Sequence, residues 1–362
     1  MDAPGNTTLD DRPKATVPTV RPLEVEQDRE AVLDLWRRNL PEGASERYEW
    51  LYRSGRARGW LGCDTLGNAV GAIGLLSREM RLFGSPCSAG QPIDLNVDRG
   101  HRLGGLAMRL QRSLIDAAGD GRPALIYGLP NAQSEAVLRR VGYEVVGTVQ
   151  RWARPLKSRE YFSERMPQGV VGDLTSRALD AALWLRSPES RYWRRRDHRV
   201  EVTDRFDERF DRLAREVADR HPVFGDRSAD YLNWRFRDAP GAVFRILCLS
   251  SPSDRLLAYL VYHQRDGVAY MADFLGLDES HGDAVLAEFI RLMRSQKTKA
   301  VVTIFSGAKS VTRRLRRFGF QRRPSSWKIM LHADAIQLGI PRFKLPDPSQ
   351  WYLTRADIDT EF

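Results

Sequence analysis

The stretch Asp94-Leu95-Asn96-Val97-Asp98-Arg99-Gly100-His101-Arg102-Leu103-Gly104-Gly105-Leu106-Ala107 decides how this chain is read. Its pattern predicts a strand that ends at Val97, four loop residues, and a helix opened by Arg102. Leu106, Met108, Leu110 and Leu114 give that helix one apolar side as far as Ala118. A helix start leaves its first amides without internal partners, and the helix dipole makes that end positive. Small residues at Gly104, Gly105 and Ala107 let an anion come close to the backbone, and Arg102 adds charge-assisted hydrogen bonds. The layout is that of a phosphate-binding turn.

Working outward, the preceding chain reads as a strand (Val20–Leu23), two helices (Glu30–Arg38, Ser45–Arg53) and a hairpin. The hairpin pairs Trp60–Cys63 with Ala69–Leu76 around the turn Asp64–Asn68, and Pro92–Val97 follows as the next strand. The following chain reads as a strand (Ala124–Gly128), a helix (Ser134–Val141) and a strand (Tyr143–Val149). This order predicts an α/β protein with a mixed sheet rather than an alternating dinucleotide-binding array.

The second half repeats the order. Strand Val200–Val202 leads to helices Phe206–Val217 and Ala229–Phe236, then to the hairpin Val243–Leu249 and Leu256–Tyr262. Strand Val268–Leu275, helix Ala284–Met293, strand Ala300–Phe305 and helix Ser310–Phe318 follow, and Ser326–Leu331 closes the unit. Leu138-Arg139-Arg140-Val141-Gly142-Tyr143 matches Leu315-Arg316-Arg317-Phe318-Gly319-Phe320 at the same place in the order. The expected organisation is therefore a disordered tail (1–18), a first domain (19–156), a linker with a helix at Leu174–Leu185 (157–199), a second domain (200–335) and a C-terminal extension (336–362). The run Asp357 to Glu361 reads as a solvated terminus, with folding back onto an amine as the alternative.

Composition sets further bounds. The 362 residues carry 57 Lys+Arg against 47 Asp+Glu, a formal +10, and 42% are hydrophobic, which excludes wholesale disorder. Of the basic residues 50 are Arg, and they are interleaved with acids along the chain. That dispersal argues against nucleic acid as a partner, because dedicated binders concentrate charge in a stripe. Cys63, Cys87 and Cys248 lack paired spacing, so neither a disulfide scaffold nor a Cys-rich zinc site is expected, and the scattered His residues suggest no metal site. No apolar run approaches the ~20 residues of a membrane span, and Met1–Pro18 has no apolar core of a signal peptide. A cytoplasmic protein is the expectation.

Val97-x4-Arg102-x-x-Gly105-x-Ala107 after a strand resembles the acyl-CoA pyrophosphate loop of the GNAT superfamily of N-acyltransferases, as does Asn131-x-x-Ser134-x-x-Val137 running to Gly142-Tyr143. The resemblance implies two tandem GNAT-like units, the second degenerate: its Leu277–Asp283 segment carries Asp278, Glu279 and Asp283, which would repel a pyrophosphate. It implies acetyl-CoA as acyl donor, held by Leu95, Asn96, Val97, Arg102, Leu103, Gly104, Gly105, Leu106, Ala107 and Asn131. A small-molecule amine or amino-sugar acceptor would attack the thioester directly. The tyrosine that many members use as general acid falls at Leu138 here, so that role does not carry over. Asp94, on the strand nearest the thioester, is the candidate base; Tyr143 is a further catalytic candidate, and Tyr127 and His101 are weaker ones. Two other readings stay open. One is a Fem-like transferase using aminoacyl-tRNA. The other is a non-catalytic CoA-binding protein of a polysaccharide system, motivated by the missing tyrosine acid; Arg227–Phe236 resembles a stretch in bacterial tandem-GNAT proteins near such systems.

Overall fold

The computed structural model describes residues 18–40, 45–116, 123–157, 188–191, 198–333 and 346–359. The expected tail up to Val17 and the helix at Leu174–Leu185 lie outside them.

Alternating and continuous apolar runs form the strands. In the first half β1 (Thr19–Pro22), β2 (Ala57–Cys63), β3 (Ala69–Leu82) and β4 (Ser85–Val97) pair antiparallel in succession, and β4 runs parallel to β5 (Leu125–Gly128). In the second half β8 (Arg199–Thr203), β10 (Arg245–Ser250), β11 (Leu256–Arg265) and β12 (Val268–Gly276) do the same, and β12 runs parallel to β13 (Ala300–Ile304). Helix α1 (Arg29–Asn39) buries Val32, Leu35 and Trp36 on one face, and α3 (Leu106–Ile115) buries Leu106, Leu110 and Leu114 at i, i+4 spacing. Helices α2 (Ser45–Tyr48) and α4 (Ala132–Arg140) complete the first half. The short α5 (Pro188–Arg191), then α6 (Glu208–Ala218), α7 (Ala229–Leu232), α8 (Glu279–Ser295) and α9 (Lys309–Arg317) follow.

The last strands of the two halves are exchanged. The sequence does not predict the strand β7 (Arg151–Pro155), which lies between β13 and β15 (Gln321–Arg323) in the second sheet. The strand expected to close the second unit, β16 (Lys328–Ala333), lies instead between β5 and β6 (Glu144–Thr148) in the first. Trp152 of β7 is fully buried there, and its indole donates to Phe305 O at 3.0 Å. The first sheet is extended further by β9 (Val223–Gly225) on the outer end of β3, and then by β17 (Trp351–Leu353) and β14 (Ser306–Gly307). The halves are thus interleaved rather than joined end to end.

A second junction is symmetric. Both α2 and α7 pass into a π-helical turn, Glu49–Arg53 and Asn233–Arg237, where 3.6-residue spacing alone predicts uninterrupted α-helix. Trp50 and Trp234, 184 residues apart, occupy the same place in these turns. Their rings stack at 4.7 Å, and each indole donates to the other's carbonyl, at 2.8 and 3.0 Å.

The C-terminal segment departs most from expectation. Asp357 is 1% exposed and Ile358 likewise, so the acidic run does not begin as a solvated terminus; Glu361 lies outside the described residues. Asp357 lies among Arg227 and Arg78, both buried, because two desolvated guanidinium groups require a carboxylate partner.

Candidate active site

The site is built on an irregularity in β4. Ala72 pairs with Asn96 and Gly74 with Ile93, so Asp94 and Leu95 together oppose one residue of β3. Asp94 adopts the left-handed conformation, with φ +54°. This bulge aims the Asp94 carboxylate away from the strand ladder and toward α2. Its Oδ1 accepts from Arg47 Nε (3.1 Å) and Nη2 (2.8 Å), and its Oδ2 accepts from the Tyr52 hydroxyl at 3.4 Å. Gly74 makes the phenol's position possible, since a Cβ there would stand 2.3 Å from Tyr52 Oη. The same Arg47 Nη2 donates to Asp359 Oδ2 at 2.8 Å, which ties the end of the chain to the bulge.

The electrostatics follow from this crowding. Burial pushes the Asp94 carboxyl above the usual carboxylate range; Arg47 pulls it down, and the neighbouring Asp359 charge pushes it up again. Burial also raises the Tyr52 phenol well above its ordinary value. The result is a buried carboxyl group that titrates above an ordinary Asp while sharing one guanidinium with a second carboxylate.

β4 and β5 pair only at Ala89–Leu125 and Gly90–Ile126, before the bulge, and beyond it β4 runs on to Val97 without a β5 partner. The helix then starts later than the sequence predicts. Arg99–Gly104 is a 3₁₀ turn, Gly105 (φ +72°) is the N-cap, and α3 begins at Leu106. Arg102 therefore sits in the turn rather than at the first helical position, and its Nε donates to Val97 O at 3.0 Å. The turn is anchored by Asp98, which accepts from Arg38 Nη2 (3.0 Å) and Asn39 Nδ2 (2.6 Å). Leu103 is fully exposed, and Leu106 is buried in the core beneath the turn.

Three observations fit this turn to a diphosphate. A Cβ at Gly100 or Gly104 would meet nothing within 4 Å, so the backbone is open on that side. Gly105 supplies no side-chain cap to the first amides of α3. Arg109, one turn along, keeps Nε and an Nη buried without a hydrogen-bond partner. Asn96 similarly holds a buried Oδ1 without a partner, while its Nδ2 donates to Asp94 O at 2.7 Å.

The other sequence candidates are not gathered here. Asn131 is exposed and caps α4, its Oδ1 accepting from Gln133 N (3.0 Å) and Ser134 N (2.9 Å). Tyr143 is buried in the apolar cluster of Leu106, Leu110, Leu114 and Leu138, its hydroxyl 3.4 Å from Gln111 Oε1, with no contact to Asp94. The Tyr127 hydroxyl donates to Asp357 O at 2.8 Å, which makes it a brace for the C-terminal segment. His101 is half-buried in the 3₁₀ turn. Sequence reasoning missed Arg47, Tyr52 and Asp359. The repeated Trp50 and Trp234 segments were the available signal for the first two.

The second half places Asp273 on β12, three residues from the strand end, as Asp94 is on β4. Its surroundings differ. Asp273 is fully buried; Arg227 Nε lies 3.0 Å away, and Tyr259 Oη and Thr354 Oγ1 each donate at 2.7 Å. The helix that follows is closed by Asp278, whose Oδ1 accepts from His281 N at 2.9 Å. Among the described residues no group of three His, Cys, Asp or Glu side chains is placed to hold a metal ion, and no helix is long and apolar enough to cross a membrane.

The fold has counterparts among solved structures. A GCN5-related N-acetyltransferase from Anabaena variabilis superposes with a TM-score of 0.63 at 15% identity, covering 87% of this chain and 73% of its own. The chain has the GNAT fold. A probable N-acyltransferase from Enterococcus faecalis gives 0.62 at 13% identity, covering 88% of this chain and 72% of that one. Saccharomyces cerevisiae N-myristoyltransferase with bound myristoyl-CoA gives 0.53 at 11%, covering 91% and 86%. No family model matches the sequence, and no curated protein matches it. The GNAT likeness therefore rests on the fold.

Proposed function

We propose that this protein is an acyl-CoA-dependent N-acyltransferase, with acetyl-CoA as donor and the amine of a small molecule or amino sugar as acceptor. In this reading it consists of two GNAT units, of which only the first holds the donor. The observation that carries it is the pairing of an uncapped, Gly-lined, cation-rich helix start with a buried carboxyl group on the preceding strand. Arg102 and the open backbone at Gly100, Gly104 and Gly105 would hold the diphosphate. Leu95, Asn96 and Val97 would flank the pantetheine arm, and Leu103, Leu106 and Ala107 would shape the turn. Acetyl-CoA, when bound, would supply the thioester to be attacked, with the CoA thiol as leaving group.

An amine attacks only when neutral, so its proton must leave. In this reading Asp94 accepts it: burial raises its basicity above that of an ordinary carboxylate, and Arg47 and Tyr52 fix its orientation. Asp359 places a second carboxylate on the same guanidinium and adds to the upward push on the Asp94 carboxyl. Tyr143, enclosed in the apolar core, has no part in this chemistry. The likeness to N-acyltransferase structures supports the reaction class.

The test is release of free thiol from acetyl-CoA against a panel of amino sugars, amino acids and polyamines. Turnover with an amine supports an enzyme. Donor binding without thiol release for any amine would favour the non-catalytic reading.

A further inference from the structure

The second half carries a cleft that acyl transfer does not use. It has a volume of about 490 Å³, within the range of small-ligand sites. One wall is a stripe of α9: Lys309, Thr312, Arg313 and Arg316 fall at i, i+3, i+4 and i+7 and so share one face. Val311, Leu315 and Phe318 hold the opposite face of that helix in the core. Arg322 of β15 adds a fourth cation from another element, and Pro348 and Ser349 form the facing wall.

The charge in this cleft is not internally compensated. Lys309, Arg313, Arg316 and Arg322 make no ion pair with any described carboxylate, although Arg316 lies 5.7 Å over the Trp152 ring. The acid in the lining, Asp347, accepts from Ser349 N (2.8 Å) and Ser349 Oγ (2.6 Å) and so serves its own turn. Elsewhere on the molecule Arg residues are repeatedly matched: Arg314 and Arg317, on the same helix, both pair with Asp283. The α9 start adds partial positive charge, since Ala308 offers no side-chain cap. From Lys309 to Arg316 the stripe spans about 10 Å, longer than one phosphate.

We propose that this cleft binds a small molecule carrying two or more phosphate groups, at a site separate from the turn before α3. Its concave shape favours a small ligand over a nucleic-acid strand. The site does not depend on the acyltransferase reading.

The test is calorimetric titration of the full chain with inorganic pyrophosphate at low ionic strength. It is run in an Arg102→Glu, Gly105→Glu background so that the α3 turn does not contribute. Binding is expected in that background, at least tenfold tighter than for inorganic phosphate. Adding Lys309→Glu with Arg313→Glu, both at exposed positions, is expected to weaken it at least tenfold. Arg322→Glu, on a different element, should give the same loss, and Arg37→Glu on α1 should give none. The proposal is overturned if millimolar pyrophosphate does not bind in the background variant, or if the cleft variants bind it unchanged. It is also overturned if a 20-nucleotide single strand binds the face and pyrophosphate fails to displace it.

Discussion

Strands β4 and β12 occupy the same place in their halves and have taken different courses. Each carries an Asp three residues before its end, and each leads toward a helix. Asp94 has one guanidinium, one phenol and an adjacent uncapped turn. Asp273 has Arg227, Tyr259 and Thr354 at short distance, and the following helix is already capped by Asp278. The C-terminal segment makes the difference. It sets Thr354 on Asp273 and Asp357 between Arg227 and Arg78 of β3, completing a buried ion network that reaches both halves, and it sets Asp359 beside Asp94, where it biases a titratable group. The same backbone frame thus holds one carboxylate as a brace and leaves the other as a candidate base.

The comparison breaks most sharply at Asp94. Asp94→Asn should lower kcat by about 10²–10⁴, whereas Asp273→Asn should act on stability. Because burial raises the Asp94 carboxyl, activity should rise with pH through a limb lying above the ordinary carboxylate value of about 3.9. Asp94→Asn should remove that limb. A pH–rate profile of unchanged shape in the variant contradicts the assignment.

Asp357 tests the second half. Asp357→Asn leaves Arg78 buried without a carboxylate partner and Arg227 with Asp273 alone, and should cost about 3–5 kcal/mol in urea unfolding. The sign of its pH dependence is set by its surroundings. Burial would push the Asp357 carboxyl up, but Arg227 and Arg78 hold it below the usual range. Its contribution is therefore complete above the unfolded value and is lost as pH falls through the folded one. The variant should show a flatter loss of stability in acid than the wild type.

The Trp50–Trp234 junction joins the two halves. In a double-mutant cycle with Phe at both positions, the stacking and reciprocal hydrogen bonds should couple by about 1–2 kcal/mol. Additive single effects would mean that each half holds its π-helical turn by itself.

These contrasts also show what could be read in the sequence. The hairpins and the major helices follow from local alternation and 3.6-residue spacing, and the phosphate-type turn follows from small residues beside Arg102. The exchange of β7 and β16 is not local: Val301 pairs with Arg154 and Leu331 with Tyr127, and no short-range pattern encodes such pairings. The role of Asp359 was hidden for a related reason. A short acidic run has the composition of a solvated end, yet its Asp357 and Asp359 are drawn inward by Arg47, Arg78 and Arg227, all distant in sequence. Tyr143 looked chemical by its place in a motif, yet the apolar faces of α3 and α4 enclose it.

A smaller effect separates the two helix starts. Asp278→Ala should cost about 1 kcal/mol by uncapping α8 and should not create a second donor site, because Glu279 and Asp283 stay in place. Two donor equivalents bound in that variant would mean that the cap alone closes the second half.

The most direct measurement is the melting temperature with and without millimolar acetyl-CoA, for the wild type and for Arg102→Glu with Gly105→Glu. Ligand at about 100 times its Kd stabilises by about 2.7 kcal/mol, a shift of several degrees. The wild type should show this shift and the double variant none. An unshifted wild type, or an equal shift in the variant, would contradict donor binding at the α3 turn.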